Sequence, residues 1–333
     1  MTIIIGILFI IILVIGHEFG HFFAAKALGL RVDEFGFGFP PRLFSKKKGD
    51  TTYSFNALPF GGFVRIYGEH GDPKEIKEDA GRSFTHQTAL KRAMIVIAGV
   101  LMNFLIGWIA FSFVFAVGIP NRVMVADVAK NSPAAEAGFM AGDTIRGFSS
   151  TESFLNLVDA HKGSPITVNG LTIVPRENPP EGEGSLGLTV MDSGVQKEGL
   201  FRSIISGLNS AILTTWAIIG AFIGFFANIF GGNLSVVNEF SGPVGIFGML
   251  GEASKLGIAP LIQFLGLISI NLVVINMIPF PALDGGRFLT ILVEKLVGRR
   301  INQKVEMVVN AVGLLFLLLI MVAVTIKDIN NIL

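Results

Sequence analysis

The chain has 333 residues, of which 51% are hydrophobic and only 15% charged, and its mean hydropathy is +0.65. That balance excludes an ordinary soluble domain and points to an integral membrane protein. A formal net charge of +1 argues against a nucleic-acid partner, and the absence of cysteine excludes disulfides, thiolate metal sites and cysteine nucleophiles.

A spanning helix needs roughly 20 apolar residues. The first run that qualifies is Thr2 to Ala25. No Lys or Arg precedes it and no small-residue cleavage site interrupts it, so it reads as a retained membrane helix and not as a signal peptide. Within it stands "GHEFGHF", Gly16 to Phe22. An ionisable residue at the bilayer centre costs about 2.5–3.5 kcal/mol, so such residues are kept for function. On a helix, His17 and His21 fall one turn apart on one face. Two imidazoles so placed can bind one Zn²⁺, with Glu18 beside them to take a proton from a water that the metal activates. Six residues separate Phe19 from Ala25, a rise of about 9 Å, which puts the cluster inside the membrane but near one face.

Residues 26–92 hold 12 Lys and Arg, including Lys46, Lys47 and Lys48. Among them "TTYSFNALPFGGFVRI", Thr51 to Ile66, reads as two short strands around "LPFGG". A second span, Ala93 to Ile119, encloses Asn103. Residues 119–202 hold 7 basic and 10 acidic residues, and residues 279–305 hold 5 basic ones. The positive-inside rule puts both basic loops in the cytoplasm and the acidic stretch outside, with the first helix running inward and the second returning.

Residues 122–192 have the pattern of a small soluble domain. Apolar alternation after Val123 leads to a helix start at Ser132-Pro133, and "PITVNGLTIVP" and "GSLGLTV" read as strands. Pro175 to Gly184 is a loop by composition. A further uncharged run, Ser203 to Phe230, precedes the third span, Ile258 to Ile278, and the fourth, Met307 to Ile326.

A catalytic zinc takes three protein ligands and keeps one position open. His70, His86 and His161 fall in loops, which leaves Asp284 in "NMIPFPALDGG", Asn276 to Gly286. Two prolines break the helix there and two glycines allow tight turns. Broken helices at membrane depth line a protein or water cavity. Asn276 can donate a hydrogen bond into the same pocket. By itself the run also fits a helix-ending loop with an Asp-Gly turn; a HExxH at matching depth favours the pocket.

These motifs together resemble the site-2 protease family, intramembrane zinc metalloproteases of the bacterial RseP type. The family's N-x-x-P-x-P-x-L-D-G motif is matched by Asn276, Pro279, Pro281, Leu283, Asp284 and Gly285. "FGFGFP" (Phe35 to Pro40), "LPFGGFVRIYGE" (Leu58 to Glu69) and "SGPVGIF" (Ser241 to Phe247) are also similar to family segments. Asn131 to Ala134, Ala137, Gly138, Gly142, Asp143 and Ile145 resemble a permuted bacterial PDZ domain, here single where the best-known member has two. Where the family often has Gly-Pro, this chain has Gly99-Val100, a departure expected to leave the zinc site untouched.

The resemblance implies an α-helical integral membrane protein with four transmembrane helices, a membrane-associated β-hairpin and an inserted extracytoplasmic α/β PDZ-like domain. Residues 1–119 and 258–333 would form the membrane core, 120–194 the PDZ-like domain, and 195–257 an apolar interfacial helix with its connector. His17, His21 and Asp284 would hold Zn²⁺, and Glu18 would move protons. Asn276 would steady the oxyanion or the substrate backbone. Gly61, Gly62 and Phe63 would pair with an unwound substrate strand. The partners implied are the lipid bilayer of the bacterial inner membrane and transmembrane-helix substrates such as anti-sigma factors or signal-peptide remnants.

Parity bears on Ser203 to Phe230. If Asp284 is to reach His17, the third span must run inward, so an even number of crossings must separate it from the outer domain. The expectation is therefore that Ser203 to Phe230 lies against the outer face or inserts incompletely. Two rival functions are a zinc-binding membrane protein without peptidase activity, which has no need of Glu18, and a membrane-anchored PDZ scaffold, which has no need of zinc.

Overall fold

The computed structural model describes residues 2–69, 79–180, 182–233 and 242–332. His70 and Ser241 lie outside the described residues, as does Glu181 of the Pro175 to Gly184 loop. In chain order the elements are α1 (Thr2–Ala27), β1 (Val32–Lys48), β2 (Thr51–Ile66), a 3₁₀ turn (Ala80–Arg82), α2 (Ala89–Val117), β3 (Val123–Val128), α3 (Pro133–Glu136), β4 (Thr144–Ile145), α4 (Thr151–Ala160), β5 (Ile166–Val168), β6 (Leu171–Ile173), β7 (Leu188–Asp192), α5 (Leu200–Phe230), α6 (Pro243–Leu256), α7 (Ile258–Met277), α8 (Asp284–Val297) and α9 (Gln303–Ile332). They form two compact units, Met1–Phe113 with Ile204–Leu333, and Val114–Ser203. Among the described residues five helices are long and apolar enough to cross a membrane: α1, α2, α5, α7 and α9.

The larger unit is held by close helix contacts at small residues. A methyl group on Gly20 would collide with the Ala98 carbonyl, and one on Gly16 with the Ile106 side chain. Two glycines one turn apart on α1 thus let its backbone approach that of α2, the usual way for helices to associate in lipid. On the far side of α2, Gly107 receives Ile270 of α7, and Gly266 of α7 receives Phe111, so α2 and α7 run in opposite directions. A buried ion pair, Arg92 to Glu294 at 2.7 Å, ties α2 to α8. Asp328 of α9 accepts from the backbone N–H groups of Gly242 (3.1 Å) and Gly245 (2.9 Å) and so satisfies the start of α6.

β2 runs from Thr51 to Ile66 but pairs as two segments on either side of "LPFGG", as the sequence suggests. The register shows how the segments are placed. Lys48 to Arg42 of β1 faces Thr51 to Asn56, and Val32 to Phe37 faces Ile66 to Gly62, while Glu34 to Phe37 also lies beside Thr52 to Phe55. The two long strands bend and fold over into a small sheet. In it Gly62 to Ile66 pairs on one side only, so its other edge has no strand partner among the described residues. Phe22 of α1 packs its ring against Phe35 and Tyr53, which seats this sheet against the HExxH helix.

α5 contains the uncharged run Ser203 to Phe230. Gly207 meets Ser112 near the end of α2, and Ala211 is fully buried in one cluster with Phe111 and Ile270. Further along, Thr215 to Phe226 borders Val273 to Ile278 across an apolar groove of about 410 Å³. α5 therefore stands beside α7 and runs the same way. Gly207 and Ala211, small residues on an apolar helix, let it seat against its neighbours. α6 folds back on α7 through Gly257, setting Pro243, Ile246, Phe247 and Leu250 opposite Phe264, Ile268 and Leu272. α5 and α6 thus run in opposite senses.

The smaller unit has a three-stranded sheet ordered β4-β3-β7 and a separate β5-β6 hairpin. The hairpin turn is Asn169-Gly170, with φ of 56° and 84°, which suits those two residue types. α3 starts as its sequence requires: the Ser132 side chain accepts from the Ala135 N–H and Pro133 opens the helix. Val123, Val125, Ala134, Ile145, Phe154 and Val158 form the buried core.

Candidate metal centre

α1 carries His17, Glu18 and His21 on one continuous helix, as the i, i+4 spacing requires. Asp284 reaches them because α7 ends at Met277 and the chain turns sharply before α8. The turn needs its glycines. A methyl on Gly285 would collide with the Ile278 carbonyl, and one on Gly286 with the Phe280 carbonyl. The result brings Asp284, as the first residue of α8, to the face of α1.

His17 Nε2 lies 3.1 Å from Asp284 Oδ2, His21 Nε2 lies 3.2 Å from the same oxygen, and the two Nε2 atoms are 3.2 Å apart. Zinc bonds of about 2.0–2.1 Å at tetrahedral angles separate ligand atoms by about 3.3 Å, so three such edges outline one face of a zinc site. The donor set, two imidazoles and a carboxylate, suits zinc. Asp284 Oδ2 is buried and has no hydrogen-bond donor, which is the state of an oxygen arranged for a cation. Among the described residues this is the one group of three His, Asp or Glu side chains close enough to hold a metal. His86 is exposed, and His161 belongs to the smaller unit, where its Nδ1 bonds the Leu157 carbonyl.

Each histidine is also held from behind. His21 Nδ1 is 2.8 Å from the Ile95 carbonyl, and His17 Nδ1 is 3.3 Å from the side chain of Asn103, both on α2. Gly99 of the same helix closes the floor of the site. A methyl there would overlap His21 Nε2 and come within 2.9 Å of His17 Cε1. Gly99 therefore touches the candidate site, whereas Val100, the position at which the chain departs from the family's Gly-Pro, is buried and does not line the cavity. The backbone of α2 passes so close to the ring nitrogens that only a hydrogen fits.

A cavity of about 190 Å³ opens onto these groups and is lined by Glu18, Asn276, Glu69 and Arg287 as well as by the three converging residues. Asn276 thus faces the same space as Asp284. Glu69 and Arg287 form an ion pair across the cavity wall, and the Glu69 carboxylate holds the Arg287 guanidinium above its ordinary range. From the β-sheet, a methyl on Gly62 would touch Glu18 Cγ at 3.4 Å and Val14 Cγ1 at 3.7 Å. The open strand edge therefore passes beside the helix face that carries Glu18. Gly61 has φ of 125°, and Phe63 lies over Gly36, so of these three residues Gly62 is the one against Glu18.

Sequence reasoning did not assign Gly99, Glu69 and Arg287 to the site, and it noted Asn103 without a role. For Gly99 no local signal exists. For Asn103 there was one: an uncharged but strongly polar side chain in the middle of a span requires a partner.

A sequence model of peptidase family M50 matches residues 5–320. A Clostridium perfringens protein named as a candidate zinc metalloprotease is 34% identical over 99% of this chain and 98% of its own length. A Fusobacterium nucleatum protein of the same designation is 31% identical over 99% and 98%. The regulator of sigma-W protease RasP of Bacillus subtilis is 28% identical over 98% of each chain.

Proposed function

Because this chain belongs to peptidase family M50 and is a zinc metalloprotease of the site-2 type, we propose that His17, His21 and Asp284 hold its zinc and that Glu18 is its proton carrier. It acts in regulated intramembrane proteolysis, with membrane proteins as substrates, as a multi-pass protein of the bacterial inner membrane. The observation that supports the ligand assignment is the convergence of three ligand atoms, 3.1–3.2 Å apart, from two segments far apart in sequence.

When bound, zinc polarises the scissile carbonyl and lowers the pKa of water to about 7. The remaining work falls to the chain. Glu18, next to His17 on the cavity wall, takes the proton of the attacking water and returns it to the leaving amide nitrogen. Asn276 donates a hydrogen bond to the carbonyl oxygen as negative charge builds there. The open edge at Gly61, Gly62 and Phe63 holds an unwound substrate segment extended by backbone hydrogen bonds, with Gly62 bringing that segment beside Glu18. A side chain at Gly62 would intrude on the glutamate.

The ligand assignment has a direct check. Purified protein should carry one zinc per chain, and His17→Ala or Asp284→Asn should carry less than about a tenth of that at equal free metal, since three ligands are the minimum for a catalytic site. Undiminished zinc in both variants would place the metal elsewhere.

In the membrane, α1, α2, α7 and α9 are the four spans that carry the site, with the basic loops in the cytoplasm and the cavity opening to that side. The Val114–Ser203 unit is a single PDZ-like domain outside. α5 enters beside α7, and the chain returns to the outer side before α7 begins, so the even number of crossings demanded by parity is kept. Cysteines at Ile205 and Asn233 test this: they should label from opposite sides of the membrane. Labelling of both from outside would return α5 to the outer surface.

A further inference from the structure

We infer that Asn103 is the positioning residue that makes His17 a metal ligand through Nε2, by accepting a hydrogen bond from its Nδ1–H. The inference rests on the reading of His17 as a ligand and adds the group that fixes its ring.

Asn103 is fully buried in the middle of α2, in a segment otherwise built for lipid. A polar side chain in such a place is kept for a specific partner. Its partner is His17: the amide Nδ2 stands 3.3 Å from the ring Nδ1. The other ring nitrogen, Nε2, is the one that faces Asp284 Oδ2 and His21 Nε2. A neutral imidazole has one N–H. If Nε2 offers its lone pair to a metal, the hydrogen sits on Nδ1, and Nδ1 must donate. It then needs an acceptor, and the Asn103 side chain is the group in place.

The Asn103 amide supplies one by a half turn about its last bond, which exchanges nitrogen for oxygen at positions that have nearly the same shape and density. In the present orientation Oδ1 is buried without a donor, so the turn breaks no hydrogen bond to oxygen. After it, Oδ1 accepts from His17 Nδ1–H. The arrangement matches the neighbouring histidine. His21 Nδ1 lies 2.8 Å from the Ile95 carbonyl oxygen, which can only accept. Both ligand rings would then be held in one tautomer by oxygens from a single helix, two turns apart on α2.

Asn103 is itself fixed by α7. The buried Ser269 hydroxyl donates to the Asn103 carbonyl at 2.7 Å. α7 leads directly into the turn that presents Asp284. One residue of α2 therefore joins the helix that carries the histidines to the helix that delivers the carboxylate.

The test compares Zn²⁺ affinity by chelator competition, and the visible spectrum of bound Co²⁺, in wild-type protein, Asn103→Leu, Asn103→Ala and Asn103→Asp, each confirmed monodisperse in detergent. Loss of an outer partner of a metal-bound histidine costs 10–100-fold in affinity, so Leu and Ala should weaken Zn²⁺ by about that factor and shift the Co²⁺ bands. Asp, which keeps an acceptor oxygen, should stay within about threefold of wild type by the same logic. Ala covers the case in which Leu is not accommodated. If Leu and Ala bind Zn²⁺ within twofold of wild type, or if Asp weakens it as much as Leu does, the inference is overturned. His17→Ala separates this from the parent reading: if that variant also binds normally, His17 is no ligand at all.

Discussion

Glu18→Gln is expected to remove cleavage of a transmembrane substrate, by at least a hundredfold, while leaving the zinc content of the purified protein at the wild-type level. The two halves of this outcome have separate causes. Positioned acid–base groups contribute about 10²–10⁴ in rate, and glutamine has neither the proton affinity to accept from water nor the acidity to give a proton to a leaving amine. The metal, by contrast, is assigned to three atoms that do not include the Glu18 carboxylate: His17 Nε2, His21 Nε2 and Asp284 Oδ2. Glutamine is close to glutamate in size, so the contact with Gly62 and the packing of α1 on α2 should persist. Proteomics of cells holding either form should show membrane stubs accumulating with the glutamine variant. Full cleavage by Glu18→Gln would remove the proton carrier from the scheme and favour a metal-binding role in which that residue is incidental. Loss of zinc together with activity would mean instead that Glu18 is a ligand.

The chemistry of this site was legible in the sequence to an unequal degree, and the inequality follows from how far each feature depends on tertiary contact. His17 and His21 needed only the pitch of a helix. Asp284 needed more, a helix broken by Pro279 and Pro281 and a tight Gly285-Gly286 turn, but all of that lies within a few residues and reads locally. Asn276 follows from being in the same segment. Gly16 and Gly20 sat in the quoted motif as spacers, yet their role is to let α2 approach, which appears only when Ala98 and Ile106 are seen against them. β2 reads as two strands because "LPFGG" has turn residues, and its pairing is interrupted there; what was not legible is that the two segments flank Val32 to Phe37 on opposite sides. The direction of α5 along α7 was not legible because parity counts crossings without knowing which neighbours a helix has. Gly207 and Ala211 carried the missing information, since small residues on an apolar helix mark the face that packs.

Gly99 is the position where that kind of information has the largest chemical consequence. Gly99→Val is expected to lose both zinc and proteolysis, and Gly99→Ala to bind zinc at least tenfold more weakly than wild type. The added Cβ falls on His21 Nε2 and within 2.9 Å of His17 Cε1, so something must move. α2 cannot easily retreat. Its backbone at Ala98 and Gly99 is the surface on which Gly20 of α1 rests, and Ser269 holds the Asn103 carbonyl from the other side at 2.7 Å. The alternative is that His21 swings away, which breaks its 2.8 Å bond to the Ile95 carbonyl and takes Nε2 out of reach of Asp284 Oδ2. Either movement spoils a site whose ligand atoms must agree to within a few tenths of an ångström. Leu101→Ala is the control, because Leu101 is 60% exposed on the same helix and should leave metal and activity unchanged. A Gly99→Ala protein that bound zinc as tightly as wild type would show that α2 stands farther from the ligands than this geometry requires. It would also weaken the case for Asn103, whose contact with His17 depends on the same close approach.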